Sequence, residues 1–174
     1  MPPPRECHSA PIMIKIFRWI QETPPSVYMR EDFSAYFIFL IFHAWGMALL
    51  VGGGLAVSLR VLGVASGARM ERFAGFLPVM WIGAAMAIPS GVMLLIGYPA
   101  KALTNWVFGL KFACLIGAAL LIRWMARDIF PIAARGEPVP PRARWIAIAA
   151  ILLWCGGVAC GKLLLYTNKM LLVY

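Results

Sequence analysis

A chain of 174 residues that is 62% hydrophobic, only 13% charged and carries a net charge of +9 lies outside the composition of a soluble domain, which averages about 45–50% apolar and about 25% charged. The apolar residues gather into four long stretches, each near the ~20 residues that cross a bilayer, and most of the arginines lie between them. The positive charge therefore reads as membrane orientation and contact with anionic lipid, and no arginine-rich groove with interleaved aromatics points to nucleic acid.

The expected fold is all-α: a polytopic four-transmembrane-helix bundle with a short N-terminal interfacial helix. Residues 1–34 form the tail and that helix, and residues 35–174 the transmembrane domain. Met1–Pro4 and Pro24-Pro25 break any signal-like run, which leaves insertion to the first span. A proline-rich tail such as Met1 to Ala10 is ordered only when tied down, which makes it a candidate partner-binding segment. Between Ile12 and Gln21, Lys15 and Arg18 share one side while Ile12, Ile16, Trp19 and Ile20 share another. That pattern suits a helix lying in the interface.

The first span, about 35–59, holds His43 and Gly52-Gly53-Gly54 and ends at Arg60. The second, about 76–98, contains Pro89, which frees a carbonyl that Ser90 is expected to satisfy. The third, about 105–125, contains Lys111; a polar connection with Pro131, Pro138, Pro140 and Pro141 follows. The fourth, about 145–166, carries Lys162. Arg60, Arg69 and Arg72 mark one connection, and Arg123, Arg127, Arg135, Arg142 and Arg144 another. Lys101, Lys162 and Lys169 lie on the opposite side. The positive-inside rule then puts the arginines in the cytoplasm and both termini on the outer, periplasmic side of an inner membrane.

Small residues at four-residue spacing (Gly83, Ala87, Gly91; Gly109, Ala113, Gly117; Gly157, Gly161) offer seams for close helix approach. Trp45, Trp81, Trp106, Trp145 and Trp154 read as interface anchors. Cys114, Cys155 and Cys160 read as small packing residues, and Met80, Met86 and Met93 as core residues rather than copper ligands.

Three ionisable side chains lie within the spans: His43, Lys111 and Lys162. In the orientation above all three fall in the outer half, level with Tyr98 and Asn105, and no span contains Asp or Glu. A basic cluster without acids suits an anionic or electron-rich partner: haem propionates, a quinone carbonyl or a lipid phosphate. His43 shares a helical face with Met47, Leu50, Gly54 and Val57. Its readings are an interhelical hydrogen bond, a haem-iron or other metal ligand, and an acid–base group. Each lysine could equally snorkel to the headgroups.

The run His43-Ala-Trp-Gly46-Met-Ala-Leu-Leu-Val-Gly52, then Ser58-Leu-Arg60, with Asn105-Trp-Val-Phe108-Gly-Leu-Lys111, Arg144-Trp145 and Gly161-Lys162, resembles a family of uncharacterised bacterial four-helix membrane proteins, a domain of unknown function. That family often has an acidic residue where Ser58 stands. More distantly, His43 and Lys111 resemble the histidine and lysine of HemJ-type protoporphyrinogen oxidases, and His43 the early-helix histidine of CopD-like membrane domains. The HemJ-type likeness implies haem b near His43.

Three function classes follow. The first is an accessory or structural subunit of a larger membrane complex, redox or respiratory, with bound lipid, other membrane subunits as partners and no activity of its own. The second is a haem-b electron-transfer protein using His43. The third, a transporter of copper or another small solute, is disfavoured by the missing acids and scattered methionines. The orientation predicts that a cysteine placed at Arg135 is labelled by a membrane-impermeant maleimide only after the membrane is opened. Labelling in intact cells would reverse it.

Overall fold

The computed structural model describes residues 12–64, 67–99, 103, 105–135 and 137–171. The tail Met1 to Ala10, expected to bind a partner, lies outside the described residues. The helices are α1 (Ile12–Gln21), α2 (Pro24–Glu31), α3 (Phe33–Val61), α4 (Met70–Ala74), α5 (Phe76–Gly97) and α6 (Trp106–Trp124). A single π-turn (Met125–Ile129), α7 (Phe130–Ala134) and α8 (Pro141–Leu171) complete the chain, and no strand occurs among the described residues. Four stretches are long and apolar enough to cross a membrane: Phe33–Val61, Met70–Gly97, Trp106–Ala134 and Pro141–Leu164. The protein is an all-α, multi-pass membrane protein.

Local chemistry sets the helix ends. Asp32 caps α3, its carboxylate accepting from the Ser34 and Ala35 amides at 2.8 and 3.2 Å, which satisfies donors the first turn cannot. At the other end Gly63 takes φ 102°. Its amide donates to the Arg60 carbonyl at 3.1 Å and the Val64 amide to the Leu59 carbonyl at 3.0 Å, the paired bonds of a Schellman stop. Asn105 caps α6 by accepting from the Val107 amide at 3.0 Å.

Three proline sites act differently from their expected roles. Pro24-Pro25 starts α2 rather than only interrupting the chain, because proline at the first helical positions loses no bond. Pro131 does not end the third span. The Phe130 amide donates to the Met125 carbonyl, five residues back. This π-turn takes up the register that Pro131 breaks, so the helical path runs on to Ala134 and the expected polar connection shrinks accordingly. Pro89 leaves the Ala85 carbonyl without its usual donor. Ser90 does not supply one: its hydroxyl donates to the Met86 carbonyl at 2.6 Å.

The spans pack as a row, in the order α5, α3, α8, α6. α3 is packed along α5, α6 along α8, and α3 meets α8. Contact between α3 and α6 is slight, and between α5 and either α6 or α8 no more than marginal. At the α3–α5 crossing a Cβ on Gly46 would lie 2.5 Å from the Ala87 nitrogen and 2.8 Å from the Gly83 oxygen. One on Gly83 would lie 2.6 Å from the Leu50 nitrogen. Of the expected seam, Gly83 and Ala87 make backbone-to-backbone contact, whereas Gly91 meets the His43 side chain. The seam on α6 is only partly used: Gly117 meets Leu153, whereas Gly109 and Ala113 are exposed.

Trp154 is a correction to the anchor reading. Trp45, Trp81, Trp106 and Trp145 are exposed, but Trp154 is 0% exposed and lies over Gly54, where a Cβ would overlap its indole. It joins α8 to α3 among Val57, Ala118, Ala147 and Ala150 in the core. At the N-terminal end, α2 closes over α5: the Ser26 hydroxyl donates to the Ile96 carbonyl at 2.9 Å, and Met29 packs on Gly97.

Replacing Gly83 by Ala is expected to destabilise the bundle by about 1–3 kcal/mol, as overpacking does. Gly52→Ala, with nothing within 4 Å of the added carbon, is expected to be neutral. Thermal unfolding of both variants in the same detergent distinguishes the two.

Candidate functional site

His43 lies on the α5 side of α3. Its Nδ1 is 2.9 Å from the Ala87 carbonyl oxygen. A carbonyl can only accept, so Nδ1 carries the proton and donates. Ser90 Oγ also sits 3.4 Å from Nδ1, but its hydroxyl is directed to the Met86 and Ala87 carbonyls. The ring fits against α5 because residue 91 is glycine: a Cβ there would lie 3.0 Å from Cε1. The interhelical hydrogen bond expected for His43 is thus formed, and Nε2 has no hydrogen-bond partner among the described residues.

Lys111 stands in the second turn of α6 and is half-buried. Its side chain runs along α8, where Cε and Nζ would be 3.8 Å from a Cβ on Gly161. A side chain at 161 would only touch the lysine, not displace it. Among the described residues Lys111 has neither a hydrogen bond nor an ion pair; the two ion pairs found, Arg69–Glu71 and Arg135–Glu137, lie outside the membrane core.

Of the three ionisable side chains, His43 and Lys111 are thus half-buried against neighbouring helices and Lys162 is not. Lys162 is exposed, since it follows Gly161 by one residue and a helix turns about 100° per residue. Near the same end, Tyr36 and Tyr98 meet edge to face at 6.2 Å between centroids, and Asn105 is 4% exposed at its cap.

Four neighbours of these side chains escaped the sequence. The Ala87 carbonyl carries no side-chain signal. Gly91 and Gly161 were legible as helix-contact residues but not as the neighbours of an imidazole and a lysine. Cys160, buried at 6% exposure, was legible only as packing. One further polar atom is unpaired away from this site: the Trp154 indole N–H, deep in the core. No cluster of three His, Cys, Asp or Glu side chains able to hold a metal ion occurs among the described residues.

Comparison with family models, with curated proteins and with solved structures finds no match for this chain.

The geometry gives the His43 bond a specific test. Gly91→Leu would fill the space of the ring and break the Nδ1–Ala87 contact. The expected cost is about 2–4 kcal/mol, the lost hydrogen bond adding to the overpacking. Ser90→Ala removes only a back-bond within α5 and is expected to cost about 1 kcal/mol or less. Chemical unfolding in mixed micelles measures both.

Proposed function

We propose that the protein is a membrane component without catalytic activity that holds an anionic group between His43 and Lys111, in the outer half of its spans. The observation that carries this reading is Lys111: a half-buried lysine with no ion pair among the described residues, and no acid in the half of any span that holds it. An ionisable group at membrane depth costs about 2.5–3.5 kcal/mol on insertion scales, and a bound anion offsets that cost. Service as an accessory subunit fits the same picture. Two small-residue positions face away from the bundle, Gly52 and Gly109, and a Cβ added at either would have nothing within 4 Å. Close approach by another span would use such positions. The arginine distribution supports an inner-membrane setting with both termini outside.

A second reading is favoured by one feature. An Nδ1–H held by a backbone carbonyl leaves Nε2 oriented as a ligand, the usual arrangement of a metal-binding histidine. These residues fit a haem b in part: His43 Nε2 would take the iron and Lys111 a propionate. The described residues offer no second imidazole, so the iron would have one strong protein ligand. Such a haem would supply one-electron transfer.

Purification in mild detergent separates the readings. The expected result is a protein with no Soret band that retains acidic lipid, and a Lys111→Ala variant that retains several-fold less. Equal retention by the variant would remove the anion site. A Soret band that sharpens with dithionite and is lost in His43→Ala would establish the haem reading instead.

A further inference from the structure

We infer that α1 is a lipid-docking element whose bare apolar edge, Ile16 and Trp19, enters the acyl boundary of the leaflet in which α3 begins and α5 ends. The sequence pattern puts Ile16, Trp19 and Ile20 on one side of the helix. The structure divides that side. Phe17 and Ile20 are half-buried, whereas Ile16 and Trp19 are 48% and 69% exposed. Residues three apart share an edge of a helix, so α1 turns one apolar edge to the protein and leaves a second uncovered. The exposed Arg18 stands about 100° around the helix from Trp19.

The position of α1 says what covers that edge. α2 lies at the end of a span: Ser26 Oγ donates to the Ile96 carbonyl at 2.9 Å and Met29 packs on Gly97, the last two residues of α5. α1 is tied to α2 rather than hinged on it. Thr23 Oγ1 donates to the Ile20 carbonyl at 2.6 Å and Arg30 Nη2 to the Gln21 carbonyl, and α1 also contacts α5. The helix is therefore held where two spans leave the hydrocarbon. At that end α3 opens with Phe33 and Phe37 stacked and exposed, so the lipid-facing surface continues up to it. An amphipathic helix at this height meets headgroups on its polar edge and acyl chains on its apolar one, and tryptophan suits the boundary because its ring is apolar and its N–H polar. Charge does not supply the attraction. From Ile12 to Asp32, Lys15, Arg18 and Arg30 are matched by Glu22, Glu31 and Asp32. The contact is apolar and needs no acidic lipid.

The test is a spin-label depth measurement on the full chain, freed of its native cysteines and reconstituted in phosphatidylcholine vesicles. Nitroxides at Ile16→Cys, Arg18→Cys and Trp19→Cys are read for collision with oxygen, which concentrates among acyl chains, and with a water-soluble nickel chelate. The labels at 16 and 19 are expected to favour oxygen, at a depth of about 5–10 Å, and the label at 18 the chelate, with no change when acidic lipid is added. Labels at 16 and 19 that favour the chelate would put α1 in water and overturn the inference. Immersion only with acidic lipid would overturn the apolar contact. Low collision with both probes would show the edge covered by protein, such as a second copy of the chain, and overturn it too. Each label alters the edge it reads, so the wild-type chain is also photolabelled with a phosphatidylcholine carrying a diazirine near the head of its acyl chain. Adducts on Ile16 or Trp19 as well as on the exposed Phe37 support the inference; adducts on Phe37 with none on either α1 residue overturn it.

Discussion

Lipid tails are as apolar as leucine, so two helices in a bilayer gain nothing from hiding apolar surface and must be held by close contact. In this protein that constraint is met at one crossing. Gly46 and Gly83 bring the α3 and α5 backbones so near that a single added carbon would strike main-chain atoms. The approach carries the His43 ring, less than one turn from Gly46, to the Ala87 carbonyl. The second joint, Trp154 over Gly54, ties α8 to α3, and α6 follows because it packs along α8. The position of Lys111 relative to His43 thus depends on both joints.

The row of spans explains why a cation can sit inward without an acid. In a closed square of helices α5 and α6 would touch and seal the half that holds Lys111 and His43. Here they make no more than marginal contact, and Lys111 and His43 remain half-buried rather than sealed. The opposite half is tighter: Met125, Ile129, Ala143, Ala147 and Trp154 are all 0% exposed. The buried Trp154 N–H without a partner is the one polar atom that this tight half leaves unsatisfied among the described residues, and nothing in its surroundings accounts for it.

How much of this was legible follows from what each signal measures. Spanning helices announce themselves by long apolar runs, so α3, α5, α6 and α8 could be read directly. Proline was harder, because its meaning depends on position: Pro24 opens a helix that its neighbours made look like a break, and Pro131 is absorbed by a π-turn that no residue pattern marks. Small-residue seams could be found by spacing, but spacing cannot say which seam is used; Gly83 is buried at a crossing and Gly109 faces outward. Trp154 was grouped with the anchors by residue type, although it stands mid-way along the expected span 145–166; only the structure shows its indole packed over Gly54. Depth along the spans put His43, Lys111 and Lys162 at one level. Only the rotation of each helix shows that Lys111 turns inward and Lys162 does not.

Everything proposed for the site requires that His43 and Lys111 face one another while Lys162 does not join them. The direct measurement is cross-linking of paired cysteines, introduced into a chain stripped of its native ones, with a short bis-maleimide in native membranes. The pair His43→Cys with Lys111→Cys is expected to cross-link efficiently, and His43→Cys with Lys162→Cys to remain largely unlinked. Failure of the first pair, or equal yields from the two, would contradict it.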